Sequence, residues 1–329
     1  MSDRTGADEA VAGRQWNKRN WKDLMSDVTV LMASYNGEKY LPAQLASIRD
    51  QDCSGVDLHV SDDHSTDATR RILDEWKAGW TVGRFTTSDG PRKGFAENFR
   101  HLIVNAPIET DHVAFSDQDD LWDRAKTRDA IAWLTAQAAA IPALFCGRTE
   151  NFGAGSAVSH SPLFSRAPCF RNALIQSIAG GNTMVMNRSA FELLREASRR
   201  TPFVSHDWWA YQLVTGAGGT VLYSAKPYTR YRQHEANQVG SNNTWRARMA
   251  RFRLLLDGRF RRWTDQNIES LSHCRDLLTA ENCDTLDRFI ESRKAGLPGR
   301  IAGLQHSGVF RQTRKGQLAL YVATALRKI

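Results

Sequence analysis

The sequence predicts an α/β protein built on a mostly parallel sheet, and three observations carry that expectation. Short runs of strand formers alternate with helix-period segments from residue 27 to 141. Acidic clusters follow two of those strands, Asp62-Asp63 after one and Asp117, Asp119 and Asp120 after another. Right-handed crossovers would bring both to the carboxyl edge of the sheet, where open α/β sheets bind ligands. The composition, 41% hydrophobic and 24% charged over 329 residues, is that of a globular chain with room for a substantial core.

Each element follows from local pattern. Val28 to Ala33 is an apolar run of strand formers. Glu38 to Asp52 reads as a helix, with Leu41, Leu45 and Ile48 at helical spacing. Val56 to Val60 is the second strand, Asp67 to Trp76 the second helix, and Trp80 to Thr86 a weaker strand. Phe95 to Val104 is helical, with Phe95, Phe99, Leu102 and Ile103 on one side. His112 to Phe115 is a strand, and a helix is expected from about Asp123 to Ala139. After Pro142 the rhythm loosens. Ala143 to Phe152 reads as a strand, 153–168 as a Gly-, Ser- and Pro-rich loop, and Asn182 to Met186 as a short strand. Helices follow at Ser189 to Arg199 and His206 to Val214, then two strands, Thr220 to Tyr223 and Tyr228 to Arg232. Beyond Asn243 the chain is basic, with helices expected at Trp245 to Leu256, Ile268 to Leu278 and Gln317 to Lys328. These runs divide the chain into a polar extension (1–26), an α/β region (27–240, with halves at 27–141 and 142–240) and a basic helical region (241–329).

Several classes are excluded. No stretch approaches the roughly 18 uninterrupted apolar residues of a membrane span, and the N-terminus has no apolar signal core. Cys53, Cys146, Cys169, Cys274 and Cys283 are widely spaced, without a C-x-x-C pair. That argues against a disulfide framework or a thiolate zinc site and fits a reducing cytoplasm. The charge is uneven: 17 Lys/Arg against 8 Asp/Glu from Ser241 to Ile329, and 27 against 28 before it. Such a tail points to an anionic partner or to a solvated helical face.

The chemistry centres on the carboxylates. Asp117, Asp119 and Asp120 repel one another, and a divalent cation relieves that repulsion. Mg²⁺ or Mn²⁺ takes oxygen ligands, one or two from protein carboxylates and the rest from phosphate and water. The alternative is an exposed acidic turn capping the next helix. Ala33-Ser34-Tyr35-Asn36-Gly37 ends the first strand and offers amides at a helix start, with Tyr35 able to stack on a base. Read alone, it is a plain Asn-Gly turn.

Taken together, Ala33-Ser-Tyr-Asn-Gly, Ser61-Asp-Asp-His-Ser-Thr-Asp and Phe115-Ser-Asp-Gln-Asp-Asp-Leu-Trp resemble the family 2 glycosyltransferases. The last block, with His206-Asp207-Trp208-Trp209 and Tyr231-Arg232-Gln233-His234, looks most like the rhamnosyltransferase branch. The resemblance covers about residues 27–240. It implies an A-type glycosyltransferase fold: a Rossmann-like nucleotide half continuous with an acceptor half, here with a C-terminal helical extension. It implies that Ala33, Tyr35, Asn36, Asp62, Asp63, Lys93 and Asp117 bind nucleotide. Asp117, Asp119 and His234 match metal contacts, and Asp207 the catalytic base. Gly180, Gly181, Trp208 and Trp209 fall on the acceptor side, with the two glycines leaving room for a sugar and one of the tryptophans lining the site. The implied reaction is an inverting transfer from a nucleoside-diphosphate sugar, first of all deoxythymidine-diphosphate rhamnose, to a glycan or lipid-linked hydroxyl in surface polysaccharide synthesis. Two departures stand out. His64 sits where glycine is common, and the Gln-x-x-Arg-Trp motif of processive polymerases is missing, so one sugar per event is expected.

Two other readings stay open on sequence. A nucleotidyltransferase also needs a nucleotide fold and acidic metal ligands, but usually an early Gly-rich phosphate loop that this chain lacks. A nucleic-acid-binding protein would use the basic tail, which has no zinc spacing or RNP-like aromatic pattern, so no nucleic acid is expected. For Arg246, Arg248, Arg251, Arg253, Arg259, Arg261 and Arg262, near Trp245, Phe252 and Phe260, the expected partner is an anionic membrane. That would place the protein on the inner face of the plasma membrane.

Overall fold

The computed structural model describes residues 28–153, 157–233 and 258–329. Nine strands among them form one sheet: β1 Val28–Ser34, β2 Val56–Asp62, β3 Phe85–Asp89, β4 His112–Ser116, β5 Leu121–Trp122, β6 Ala143–Phe152, β7 Ser159–His160, β8 Val185–Asn187 and β9 Thr220–Arg232. The order is β3-β2-β1-β4-β8-β6-β9-β5, with β7 paired to β6. β3, β2, β1 and β4 run parallel, as do β6 and β9, while β8 is antiparallel to both of its neighbours. The expected mostly parallel α/β sheet is therefore present, and the regions 27–141 and 142–240 share it.

Strand alternation explains the layers. Along β1, Val28, Val30 and Met32 enter one core and Leu31 the other. The first core lies against α1 Leu41–Arg49, α2 Thr69–Ala78 and α4 Lys126–Thr135. The second lies against α3 Phe95–Asn105, α5 Phe170–Ala173, α6 Arg188–Arg200 and α7 His206–Gly216. The C-terminal helices α8 Arg259–His273, α9 Ala280–Lys294, α10 Leu297–Ser307 and α11 Arg314–Ala325 join that second core through Leu271, Leu286, Phe289, Leu304 and Leu320. They form part of the same packed layer. Among the described residues no helix is long and apolar enough to cross a membrane.

Several expectations shift. The third strand starts at Phe85 because Trp80 turns inward, donating Nε1–H to Val56 O at 3.0 Å and meeting the Phe85 ring edge-on. The two strands expected at 220–232 are one. Gly147 faces Ser224 and Thr149 faces Thr229, so β9 carries extra residues around Pro227 and resumes beyond them. Such a bulge accommodates a proline that has no N–H to give the ladder. Leu121–Trp122 pairs with β9 before α4 begins, and α8 ends where the sequence predicted the centre of a helix. The helices at 280–294 and 297–307 were not expected. The first is polar on most faces, and the second carries Gly299 and Gly303, which lower helix propensity. Gly303 serves close packing, since a Cβ there would meet Ser292 Cβ at 2.6 Å. The helix expected at 245–256, and His234, lie outside the described residues.

Gly219 links α7 to β9 at a tight crossing. An added Cβ would meet Pro142 O at 2.3 Å and Val214 O at 2.7 Å, both backbone atoms. Gly219→Ala should therefore destabilise the fold by about 1–3 kcal/mol. A urea unfolding midpoint unchanged from the wild type would contradict this.

Candidate active site

The carboxyl ends of β1, β2 and β4 meet at one edge and hold one another. Gln118 pairs with the backbone of Tyr35 in both directions, each bond 2.9 Å. A Cβ on Gly37 would lie 2.3 Å from Gln118 Oε1, so glycine is what lets that side chain lie against the turn. Asn36 has φ 47° and donates its N–H to Ser65 Oγ at 2.8 Å. Its Oδ1 accepts from Thr66 N at 2.8 Å. Ala33 is half-buried on β1, whereas the Tyr35 side chain is 56% exposed and stands clear of the edge. Of the first motif, the aromatic ring is the part left to meet a ligand.

Asp62 and Asp63 are both buried and both spend hydrogen bonds on the protein. Asp62 accepts from Ser34 Oγ at 3.1 Å, Ser65 N at 3.0 Å and Arg70 Nε at 2.8 Å. Asp63 accepts from Arg92 N at 2.6 Å and Gly94 N at 3.0 Å, which shapes the loop that presents exposed Lys93. His64 adopts φ 65°, the left-handed region where glycine is at ease. Its ring is used locally: Arg92 Nη2 lies 2.7 Å from Nδ1, and Gly90 O lies 3.1 Å from Nε2. The departure at 64 is thus matched by two contacts that a glycine could not make.

The three acids after β4 divide by direction. Asp117 and Asp119 are half-buried, while Asp120 is fully buried. Asp120 accepts from Asn182 Nδ2 and, at 3.0 Å, from Arg232 N. Beneath it lies fully buried Lys126, whose Nζ donates to Asn182 O at 2.6 Å and sits 3.3 Å from the centroid of the Trp122 ring. Burial, then the charge of Asp119, pushes Asp120 up to about 7, with the Asn182 and Arg232 bonds and Lys126 opposing. Asp117 is held well above the usual carboxylate range by burial and by Asp120, Asp119 and Asp207 in turn. Burial drives Lys126 well below the usual lysine range, against the pull of Asp120 and Asp117. Burial and the same acids raise the Tyr231 hydroxyl. Sequence reasoning missed both Lys126 and Asn182. A helical lysine gives no sign in sequence of pointing inward, and Asn182 acts through a carbonyl and an amide that only the fold aligns.

Asp207 arrives from the first turn of α7 and is close enough to Asp117 to raise it. Ser177 Oγ donates to its Oδ2 at 3.2 Å, and among the described residues Oδ1 has no hydrogen-bond partner. His206 beside it is fully packed, stacked on Phe99 at 3.6 Å and edge-on to Phe115 at 4.9 Å.

Two acceptor-side expectations need correction. The space left by Gly181 is filled by the His206 ring, since a Cβ there would fall 1.9 Å from Nε2; only Gly180 is exposed. Neither tryptophan lines an open groove. Trp208 donates to Ala173 O at 2.6 Å and stacks on Phe260 of α8, and Trp209 is fully buried. Adjacent helical positions diverge by about 100°, and here each direction meets a different part of the core.

The donor set suits a hard divalent cation, because Asp117 and Asp119 bring oxygens whose mutual repulsion a cation would relieve. Among the described residues no group of three or more His, Cys, Asp or Glu side chains forms a cage. Such a cation would complete its shell from ligand oxygens and water.

His206 yields a pH prediction. Burial lowers it from 6.5 to about 4, with Asp207 opposing, and neither ring nitrogen has a hydrogen-bond partner. A depressed folded value means that the stability from the neutral ring is full above 6.5 and is lost as pH falls towards 4. The loss is on the order of 3 kcal/mol. His206→Asn should be less stable at neutral pH yet show a shallower fall in unfolding midpoint between about pH 7 and pH 5. An equal slope in the two proteins would remove the assignment.

Comparison with known proteins matches residues 29–195 to the family described as Glycosyl transferase family 2. The dTDP-rhamnosyl transferase RfbG of Shigella flexneri is 28% identical over 245 residues, covering 70% of this chain and 81% of that protein. The putative teichuronic acid biosynthesis glycosyltransferase TuaG of Bacillus subtilis (strain 168) is 25% identical over 232 residues, covering 69% and 85%. Among solved structures, S. aureus TarS 1-349 in complex with UDP-GlcNAc superposes with a TM-score of 0.50 at 19% identity. That match covers 66% of this chain and 62% of that one.

Proposed function

The chain belongs to glycosyl transferase family 2, and from that premise we propose that it is an inverting, non-processive enzyme moving rhamnose from its deoxythymidine-diphosphate donor to a hydroxyl of a glycan or lipid-linked acceptor. The fold is the A-type glycosyltransferase fold and the protein is a transferase. The observation that carries the reading is the meeting of Asp207, from the start of α7, with Asp117 at the end of β4. One carboxylate delivered by a separate element faces a pair already crowded with negative charge. That is the arrangement a transfer between a diphosphate leaving group and a neutral hydroxyl needs.

In this reading the exposed Tyr35 ring stacks on the base, with Ala33 and Asn36 shaping the turn beneath it and Asp62 and Asp63 holding its walls. Lys93, on the loop that Asp63 anchors, reaches towards the phosphates. Asp117 and Asp119 would hold a divalent cation, Mn²⁺ or Mg²⁺, which neutralises charge on the departing diphosphate. Asp207 takes the proton of the acceptor hydroxyl as its oxygen bonds to the anomeric carbon. The bond from that carbon to the diphosphate breaks on the opposite face, which gives inversion. Asp207 lies in the first turn of α7, which carries its carboxylate to the site. Rhamnose as the sugar is supported by the similarity to the dTDP-rhamnosyl transferase of Shigella flexneri. The acceptor would be presented at an anionic membrane surface.

Two outcomes test this reading. Asp207→Asn should bind dTDP with unchanged affinity but transfer about 100- to 10,000-fold more slowly; full turnover would dismiss the base. In a panel of nucleotide sugars with Mn²⁺, dTDP-rhamnose should release nucleoside diphosphate fastest. Preference for another donor would overturn the sugar assignment and leave the reaction class standing.

A further inference from the structure

Helix α11 turns an apolar stripe towards solvent. Leu318 is 66% exposed, Val322 41%, and Leu326, just past the helix end, 52%. They recur four residues apart and so share one face. The other face, with Leu320 and Ala323, is sealed into the core. Arg314 and Lys315 precede the stripe and Arg327 and Lys328 follow it, and from 314 to 329 the chain has no Asp or Glu. α8 extends the patch at its far end. Arg261 Nη1 donates to Arg327 O at 3.4 Å, and the same helix carries exposed Trp263 with the Arg259 guanidinium 5.9 Å from its ring.

We propose that this face, α11 with the adjoining start of α8, docks on an anionic lipid surface. An apolar stripe bracketed by cations lies in a headgroup layer with its aliphatic side chains in the acyl boundary and its ammonium and guanidinium groups among the phosphates. An exposed tryptophan beside arginine suits the same interface. A second copy of this chain fits poorly. Antiparallel pairing of two α11 helices sets Arg314 and Lys315 against Arg327 and Lys328, and parallel pairing sets each cluster against its twin. Either juxtaposition repels, whereas anionic lipid neutralises both ends at once. Docking rests on the glycosyltransferase reading only for its purpose, bringing the active site to an acceptor held in lipid; the surface itself is argued from α8 and α11.

The test is flotation of the full chain with vesicles of phosphatidylcholine, with and without phosphatidylglycerol. Binding is expected only to the anionic vesicles, weakening with salt. It should fall at least about tenfold in Leu318→Glu/Val322→Glu and in Arg314→Gln/Lys315→Gln. Both variants should keep the wild-type thermal midpoint and its rate of nucleoside diphosphate release without vesicles. Equal binding by variants and wild type, or none to anionic vesicles, overturns the proposal. So does a lowered midpoint in the glutamate variant, which would mean that the chain itself covers the stripe. A dimer lost in that variant would assign the face to a second copy. Vesicle binding by a protein inactive on every donor would keep the docking surface and sink the functional reading.

Discussion

A buried lysine sits beneath the acidic edge, and the packing of the edge is built around it. Lys126 has no exposure, and its Nζ meets Asn182 O and the Trp122 ring, with the Asp120 and Asp117 carboxyls nearby. A polar amine taken out of water persists only where such partners are in place. Around it, three acids that sequence cannot tell apart take different positions. Asp120 is drawn inward, where it ties the β4–β5 segment to Asn182 and to the end of β9. Asp117 and Asp119 stay half-buried.

The same logic runs through the neighbouring loops. Gln118 locks the β4 acids to the Tyr35 turn, Asn36 locks that turn to residues 65 and 66, and Asp63 locks β2 to the loop bearing Lys93. Most polar groups flagged by the motifs are therefore occupied in holding one another. This is preorganisation: their donors and acceptors are spent before a ligand arrives, so less ordering remains to be done when it binds. The proposed site residues Tyr35 and Lys93 remain exposed beside these locked loops.

How far the molecule could be read from sequence follows from where each signal lies. β1 and β4 are largely apolar runs because both of their faces are buried, and β2, equally buried, alternates Val56, Leu58 and Val60 with polar residues; both patterns are hard to miss. The acids at their ends stand out because charge abruptly follows apolarity. β9 read as two strands because Pro227 breaks the pattern, although the pairing resumes after the bulge. α9 and α10 escaped because few of their residues are apolar and glycine sits where the helices cross closely. Trp208 and Trp209 misled because an aromatic beside a catalytic candidate looks the same whether it faces ligand or core. Only packing separates the two, and Lys126 is the polar version of that problem.

The packing around Asp207 gives the C-terminal layer a mechanistic place. The carboxylate sits between two anchors on α7. His206, before it, is clamped by Phe99, Phe115 and the missing side chain of Gly181, giving up hydrogen bonds for a fit that permits little rotation. Trp208, after it, rests on Phe260 of α8. The first anchor belongs to the sheet layer and the second to the C-terminal helices. A base must lie within hydrogen-bond reach of the proton it takes, so tenths of an ångström in the first turn of α7 matter to rate. The orientation of Asp207 is thus set jointly by the catalytic sheet and by the basic helices that sequence would have set aside as an appendage. If those helices also rest on a membrane, the docking surface and the proposed base are joined through one stacked pair of rings.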